Sequence, residues 1–240
     1  MFTCRDLYIG YAKEPSEDCP IVDLHLKLEA GSVTLLAGTN GAGKSSLLRT
    51  LAGLQDAVSG EVAYEGHAIS AGAAETNAQH ISIMFSTPPA LEYSLVQEVV
   101  LSGMSRFLNP WQWNYSDTAE IADRALAQTG AEAFALKQFA SLSDGEKQKV
   151  MLARCLAQNT PVILLDEPLA FLDYPSRLDM LKLLQKIAQE SQKIILFSSH
   201  DIEIGLPYAD NLLFLKGKGP WYLTQGRQAL DAIVPSTLFS

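Results

Sequence analysis

Residues 33–45 have the sequence VTLLAGTNGAGKS, which joins an apolar run to a glycine-rich segment. The first five residues are apolar and partly β-branched, which is typical of a buried strand. A glycine-rich segment, 38–45, follows directly. Residues 46–52 then predict a helix that ends at Gly53. A strand, a glycine loop and a helix in this order predict a P-loop in an α/β fold.

The glycine loop has the residue types that binding a polyphosphate requires. Its glycines allow positive φ and bring backbone N–H groups close to phosphate oxygens, and the helix N-terminus adds its dipole. Lys44 supplies a point charge, and the Ser45 hydroxyl can bind Mg²⁺. A chance glycine turn would match this pattern in roughly one chain in a hundred of this length. The predicted ATP-binding residues of the loop are Gly38, Thr39, Asn40, Gly41, Ala42, Gly43, Lys44, Ser45 and Ser46.

Two further apolar runs end in side chains that could act on a bound phosphate. Residues 161–165 precede Asp166 and Glu167, and residues 194–199 precede His200. Ligands of parallel α/β sheets lie beyond the carboxyl ends of the strands. We therefore expect Asp166 to hold Mg²⁺ and Glu167 to polarise the attacking water. His200 is expected to bond a γ-phosphate oxygen or that water. Taken alone, an acidic strand end is as often a solvated helix entry.

Residues 142–148, LSDGEKQ, precede a predicted helix over 149–158. Ser143 and Glu146 fit a capping box, which is sufficient as a structural explanation. Together with the motifs above, the segment resembles the signature motif of ATP-binding cassette (ABC) ATPases, usually Leu-Ser-Gly-Gly-Gln. The order of motifs agrees with that family from about residue 7 to residue 226. The resemblance implies that the signature residues contact ATP bound to a second chain; they are Ser143, Asp144, Gly145 and Glu146.

The resemblance assigns roles to other positions as well. It implies that Tyr11 stacks on adenine, that Asp173 belongs to the D-loop, and that His200 is the switch histidine. It also implies a homodimer in which two chains pair head to tail and sandwich two ATP molecules. A helix start at Ser143 would then be a second anion site, completed by the γ-phosphate held on the other chain.

Two positions depart from the family pattern. Asp144 replaces the first glycine of the signature, so its carboxylate is expected to turn away from the phosphates. Ser86 occupies the position of the Q-loop glutamine, counted back from residues 96–100, VQEVV. Because a serine is too short to reach Mg²⁺ as a glutamine can, this change concerns the last ligand of the metal and the coupling to a partner.

The fold class implied is a P-loop NTPase (RecA-like) core with a parallel sheet, an antiparallel β region near residues 3–30 and an inserted helical subdomain. Within the insert, residues 118–129 predict an amphipathic helix that stops at Gly130. We expect a single ABC ATPase domain over 1–240. Its parts are a nucleotide-binding core over 1–86 and 159–226, a helical and signature subdomain over 87–158, and a C-terminal tail over 227–240.

Residues 99–111 resemble the insert of cassettes that power import of iron–siderophore, haem or vitamin B12, although Met104 stands where those have arginine. That branch implies an ATP-binding subunit beneath a membrane permease, peripheral on the inner face of the plasma membrane. An extracytoplasmic ligand-binding protein would take part indirectly. The segment around Trp111 and Trp113 is aromatic and loop-like. A loop packed by its own rings is favoured over a contact with a partner by about two to one. The alternatives are a soluble cassette with an assembly role, such as iron–sulfur cluster biogenesis, and a P-loop kinase, for which the signature would have no purpose.

The amino-acid composition limits the classes of partner that the chain can bind. The chain has 18 Lys and Arg against 27 Asp and Glu, a net charge of −9, which disfavours binding to nucleic acid. Residues 50–105 contain no Lys or Arg, so we expect them to be repelled by anionic lipid and to suit a basic or neutral permease helix.

No apolar run is long enough to cross a bilayer, and the charged start predicts a cytoplasmic chain. Three scattered cysteines indicate neither disulfides nor zinc. The other histidines are expected to be structural or surface residues: His25, His67 and His80.

Replacing Ser86 with glutamine tests whether the Q-loop departure slows catalysis. We expect ATP turnover to rise about tenfold in Ser86→Gln, because the longer amide can reach the metal, and steady-state phosphate release measures it. An unchanged rate would show that this position imposes no deficit.

Overall fold

A computed structural model of the chain describes residues 1–10, 21–87, 93–104, 115–216 and 221–225. Tyr11, the loop around Trp111 and Trp113, and the tail 227–240 lie outside these ranges. The described strands are β1 Phe2–Ile9, β2 Ile21–Leu28, β3 Val33–Gly38, β4 Ser59–Tyr64, β5 His67–Ala68, β6 Ile81–Met84, β7 Val162–Leu165, β8 Ile194–Ser198, β9 Asn211–Leu215 and β10 Trp221–Gln225. The described helices are α1 Lys44–Leu51, α2 Ala74–His80, α3 Val96–Ser102, α4 Tyr115–Thr129, α5 Asp144–Ala157, α6 Tyr174–Ser191 and α7 Ile202–Gly205.

The larger sheet is the parallel sheet that the sequence predicts. Its strand order is β10-β9-β3-β8-β7-β6; the five strands from β9 to β6 are parallel, and β10 pairs antiparallel at the edge. The three apolar runs at residues 33–37, 161–165 and 194–199 form β3, β7 and β8 with bounds within two residues of those predicted. The P-loop NTPase fold class is therefore confirmed.

Both faces of this sheet are buried, which explains why its central strands are apolar at successive positions. On one face, Leu35, Leu165 and Phe197 pack with residues of α3, α4, α5 and α6. On the other face, Leu36 and Leu164 pack with α1 and the antiparallel sheet. Neighbouring residues of one strand therefore belong to opposite halves of the core.

The antiparallel region is larger than the sequence predicts. Strands β1 and β2 lie within or next to residues 3–30, but β4 and β5 join them in a sheet of order β2-β1-β4-β5. The sequence analysis expected an antiparallel region near residues 3–30 and did not predict that β4 and β5 belong to it. Strand β4 shows little apolar alternation, since only Val62 is buried among its six residues, and this weak pattern hid it.

Helices α3, α4 and α5 pack against one another on one side of the parallel sheet. The predicted helix 118–129 forms the greater part of α4, and the predicted helix 149–158 forms most of α5. Helix α5 begins earlier than expected, at Asp144, and α1 begins at Lys44 rather than at residue 46. No helix within the described ranges is long and apolar enough to span a bilayer.

The carboxyl ends of β3, β7 and β8 meet at one edge of the sheet, where the glycine loop, Asp166 and Ser199 follow them. At Gly38 the loop leaves β3 with φ of 155° beside β9. A Cβ added at Gly38 would lie 2.4 Å from the backbone oxygen of Leu215. The first glycine of the loop is therefore required by packing against a neighbouring strand.

Alanine substitutions at two glycines separate this packing constraint from backbone strain. Gly41 has φ of 78° with nothing within 4 Å of an added Cβ. Gly41→Ala should therefore cost only the left-handed strain, about 1–2 kcal/mol. Gly38→Ala should cost about 1–3 kcal/mol more, because the methyl group meets backbone that cannot yield. Urea unfolding of the nucleotide-free chain measures both. Equal costs would contradict the close approach of β9.

Candidate functional site

The glycine loop connects β3 to α1 through three residues with positive φ. The φ angles are 155° at Gly38, 78° at Gly41 and 94° at Gly43, which is the N-cap of α1. Such angles turn successive N–H groups toward one concave surface, and the free amides at the start of α1 add to them. The loop therefore has the backbone geometry of an anion-binding site, as the sequence predicts.

Lys44 is the charged side chain of this loop, and it is 7% exposed. Its Nζ donates to the backbone oxygens of Gly38, at 3.0 Å, and Thr39, at 3.3 Å. These bonds use two of the three ammonium protons. Burial lowers the pKa of Lys44, whereas nearby Glu167 and Asp166 raise it. An additional anion in the loop would compensate the buried cation more completely.

Asp166 follows β7 and is 5% exposed. Its Oδ1 accepts a hydrogen bond of 2.8 Å from the Ser198 hydroxyl, and its backbone N–H donates to Met84 in the neighbouring strand β6. The second carboxylate oxygen remains as a ligand for a metal or for water bound to a metal. With the hydroxyl of Ser45, the site offers oxygen donors of the kind that Mg²⁺ prefers, so the residues fit that ion.

Glu167 is held in a conformation that is uncommon for residues other than glycine, with φ of 52°. Its backbone N–H donates to the Ser198 hydroxyl at 2.8 Å, so Ser198 links Asp166 to Glu167. The Oε1 atom of Glu167 lies 2.9 Å from Nε2 of His200. Burial raises the pKa of Glu167, and neighbouring His200 and Lys44 oppose that shift. A carboxylate with these neighbours can accept a proton from water.

Ser143 is the N-cap of α5, and the capping box predicted for it is present. Its hydroxyl donates to Oε2 of Glu146 at 2.7 Å and accepts from the backbone N–H of Glu146 at 3.4 Å. The bond from the Ser143 hydroxyl to the carboxylate, and a second one of 2.7 Å from the Ser143 backbone N–H to Oε2, lower the pKa of Glu146. Asp144 is exposed, and its carboxylate lies 3.6 Å from the ammonium group of Lys147. A ligand that takes the Ser143 proton must therefore replace Glu146 as its acceptor.

The D-loop lies between Glu167 and α6. Phe171 has φ of 64° and is 74% exposed, and Asp173 is the N-cap of α6, where it accepts from the backbone N–H of Ser176 at 3.1 Å. The bonds to Ser176 lower the pKa of Asp173. A Cβ at Gly145 would lie 3.3 Å from the Leu172 side chain, so the D-loop packs beside the start of α5.

Ser86 lines a cavity of about 480 Å³ that also reaches Asp166, Arg49 and Met151; we call it the Ser86 cavity. Phe85 and Arg154 line this cavity as well as a neighbouring surface groove, the Arg154 groove. Other residues of the groove include Leu54, Asn77, Ser102 and Gln158. The position of the expected Q-loop glutamine therefore lies between the Asp166 site and an open groove.

The structure brings four of the predicted residues together at the edge of the sheet: Lys44, Asp166, Glu167 and His200. Within the described ranges, no hydrogen bond or ion pair connects the Ser143 capping box to them. Sequence reasoning missed Ser198, which bonds both carboxylate-bearing residues. A serine at the end of a buried strand carries no signal that separates it from a structural residue.

Comparison with known proteins adds to this geometry. Residues 21–170 match the family model described as "ABC transporter". The chain is 33% identical over 240 residues to the achromobactin transport ATP-binding protein CbrD of Dickeya dadantii, covering 99% of this chain and 87% of that protein. It is 34% identical over 200 residues to the petrobactin import ATP-binding protein FpuD of Bacillus anthracis, covering 82% of this chain and 72% of that protein.

A solved structure is similar over nearly the whole chain. CbiO1 of Clostridium perfringens, part of the ABC transporter complex cbiONQ, superposes with a TM-score of 0.84 at 26% identity. The superposition covers 97% of this chain and 91% of that one. The fold seen here is therefore that of a known ATP-binding cassette.

The hydroxyl of Ser198 provides a test of the bonding at Asp166 and Glu167. Ser198→Ala leaves a buried carboxylate and a backbone N–H each without this partner, so we expect a loss of about 1–3 kcal/mol in the free energy of unfolding. Thr129→Val is the matched control, since it removes a buried hydroxyl whose described bonds are to carbonyls of its own helix. Urea unfolding compares them; an equal cost in both variants would contradict the bridging role of Ser198.

Proposed function

The chain belongs to the ABC transporter family and is an ATPase, and on this premise we propose that it powers import of an iron chelate, haem or cobalamin-type ligand. It would do so as the ATP-binding subunit of a membrane permease. The relatives CbrD and FpuD, named for achromobactin transport and petrobactin import, support this branch. The observation that carries the proposed chemistry is the meeting of Lys44, Asp166, Glu167 and His200 at one edge of the sheet.

ATP binding follows from the glycine loop. Backbone N–H groups from residues 38–46 donate to the phosphates, and the Lys44 ammonium transfers from its loop carbonyls to the β- and γ-phosphate oxygens. Its burial favours this exchange, because a charge in a low-dielectric site gains more from an anion than from neutral carbonyls. In this proposal Tyr11 stacks on the adenine ring.

Hydrolysis is assigned to the two acidic residues that follow β7, Asp166 and Glu167. Ser45 and Asp166 would hold Mg²⁺, which supplies positive charge to the polyphosphate when bound. Glu167 orients a water molecule and accepts a proton from it. The water oxygen attacks the γ-phosphorus while the bond between that phosphorus and the β-phosphate oxygen breaks. His200 holds the Glu167 carboxylate on one side and bonds a γ-phosphate oxygen or the water on the other.

The second half of the site comes from another copy of the chain. In the proposed head-to-tail homodimer, Ser143 and the free amides at the start of α5 bind the γ-phosphate held by the partner's glycine loop. The D-loop residue Asp173 lies at that junction. Asp144, paired with Lys147 on its own helix, then keeps its charge away from the phosphate.

Docking to the permease is assigned to the Arg154 groove. Among its described lining residues there is no carboxylate, and Arg154, whose Nε donates to the Ser102 hydroxyl at 3.0 Å, is the charged one. The described acidic residues of 50–105 therefore do not line the groove. This lining suits a neutral permease helix better than a basic one. We propose that residues 87–158 form the helical subdomain on one side of the groove. We also propose that a permease helix bound in the groove holds the chain at the inner membrane face.

The ATP-bound homodimer is tested with a variant that binds ATP but does not cleave it. We expect Glu167→Gln to keep ATP affinity, to lower hydrolysis at least about 100-fold, and to elute as a dimer with ATP. Lys44→Ala, which loses phosphate charge, is the control that should stay monomeric. Size-exclusion chromatography and phosphate release measure these outcomes. Normal hydrolysis by Glu167→Gln would show that another group activates the water.

Permease docking is tested by expressing the chain alone and together with the multi-span permease that is proposed as its partner. We expect recovery in the membrane fraction only with the permease, and loss of that recovery in Leu54→Glu, because Leu54 is half-exposed in the groove. Leu136→Glu is the control at an exposed leucine outside the described groove lining. Membrane recovery without the permease would contradict docking through a protein, and soluble recovery in both cases would favour the assembly role.

A further inference from the structure

The guanidinium group of Arg177 connects two loops of the site, and neither the motifs nor the comparisons assign it a role. Arg177 is on the second turn of α6. Its Nε donates to the backbone oxygen of Leu172 at 2.9 Å, and its Nη1 donates to Oδ2 of Asp201 at 3.2 Å. Leu172 precedes the D-loop residue Asp173, and Asp201 follows His200. One side chain therefore spans the D-loop and the loop that carries His200.

The Asp201 contact fixes the backbone on the carboxyl side of His200. Besides Arg177, Asp201 accepts at Oδ1 from the backbone N–H of Ile204, at 3.4 Å, and its own N–H donates to the Ser199 hydroxyl at 3.0 Å. On the amino side, the N–H of Ser199 donates to Leu36 of β3. His200 itself is about half exposed, and its Nε2 approaches Glu167. Its position therefore depends on these two neighbours.

The Leu172 contact fixes the other loop. Phe171 is exposed in a left-handed conformation, and the Leu172 side chain packs against the start of α5 beside Gly145. The carbonyl of Leu172 is therefore bonded to Arg177 at the point where the chain turns from an exposed aromatic residue into α6. A shift of this segment would move Arg177 and, through it, Asp201.

We propose that Arg177 is a positioning residue that holds His200 against Glu167 and ties that pair to the D-loop. This inference rests on the proposed function, because the pair matters only if it acts on ATP. A planar guanidinium can donate from Nε and Nη1 in fixed directions at once, whereas a lysine ammonium is a single point. Engagement of the D-loop by a second copy of the chain would then reach His200 through two hydrogen bonds.

The test compares Arg177→Met, Arg177→Lys and Asp201→Asn with the control Lys182→Met. Lys182 is on the same helix, and its ammonium lies 3.9 Å from Asp179 in an exposed pair. We expect Arg177→Met to lower kcat about tenfold, with KM for ATP within about twofold of the parent. Arg177→Lys should recover part of the loss, and Lys182→Met should change neither constant.

A second readout does not need hydrolysis. The ring signals of His200 in nucleotide-free protein, measured by NMR at one pH, should move in Arg177→Met and in Asp201→Asn but not in Lys182→Met. Unmoved His200 signals in both variants, or a loss of stability with kcat unchanged, would overturn the inference. If the parent chain failed to hydrolyse ATP while these signals still moved, the proposed function would fail and the positioning contact would stand. Should Arg177→Met not fold, Asp201→Asn carries the test.

Discussion

Lys44 and Asp166 place opposite charges in a nearly buried position at one edge of a parallel sheet, and the rest of the site is arranged around them. Both side chains are held at this position, because the glycine loop and the end of β7 fix the backbone of Lys44 and of Asp166. Loop carbonyls satisfy two protons of the ammonium, and Ser198 satisfies one oxygen of the carboxylate. Charges compensated only in part favour ligands of opposite sign. A nucleotide polyphosphate with a divalent cation supplies both signs in one ligand.

The proposed function places the start of α5 against ATP bound to a second copy of the chain. Within one chain, the Ser143 hydroxyl is used by Glu146, and no described contact connects it to Lys44. Its helix start can bind a phosphate only when the interface brings one close enough to compete with Glu146. In the proposed homodimer, ATP is thereby required for closure, and cleavage of the γ-phosphate removes that requirement. The Ser86 cavity and the Arg154 groove share Phe85 and Arg154, and they connect the Asp166 site to the surface that is proposed to bind the permease.

Much of this arrangement could be predicted from the sequence, because buried parallel strands and glycine loops have strong local signals. The apolar runs gave β3, β7 and β8 within two residues, and the capping box at Ser143 is present. What escaped prediction depends on distant pairing. Strands β4, β5, β6, β9 and β10 were not predicted, and the last two are defined by their neighbours in the sheet. Ser198 and Arg177 have their roles only because segments far apart in the chain meet, so no local pattern marks them.

In the proposed homodimer, each ATP lies between the glycine loop of one chain and the start of α5 of another, and a mixture of two inactive variants distinguishes this arrangement from a site within one chain. Lys44→Ala damages the first half, and Ser143→Asp keeps a good N-cap while placing a carboxylate against the phosphate. An equal mixture should hydrolyse ATP at about a quarter to a half of the parent rate, since every mixed dimer contains one intact site of two. A mixture no more active than the average of the two variants alone would contradict a site shared between chains.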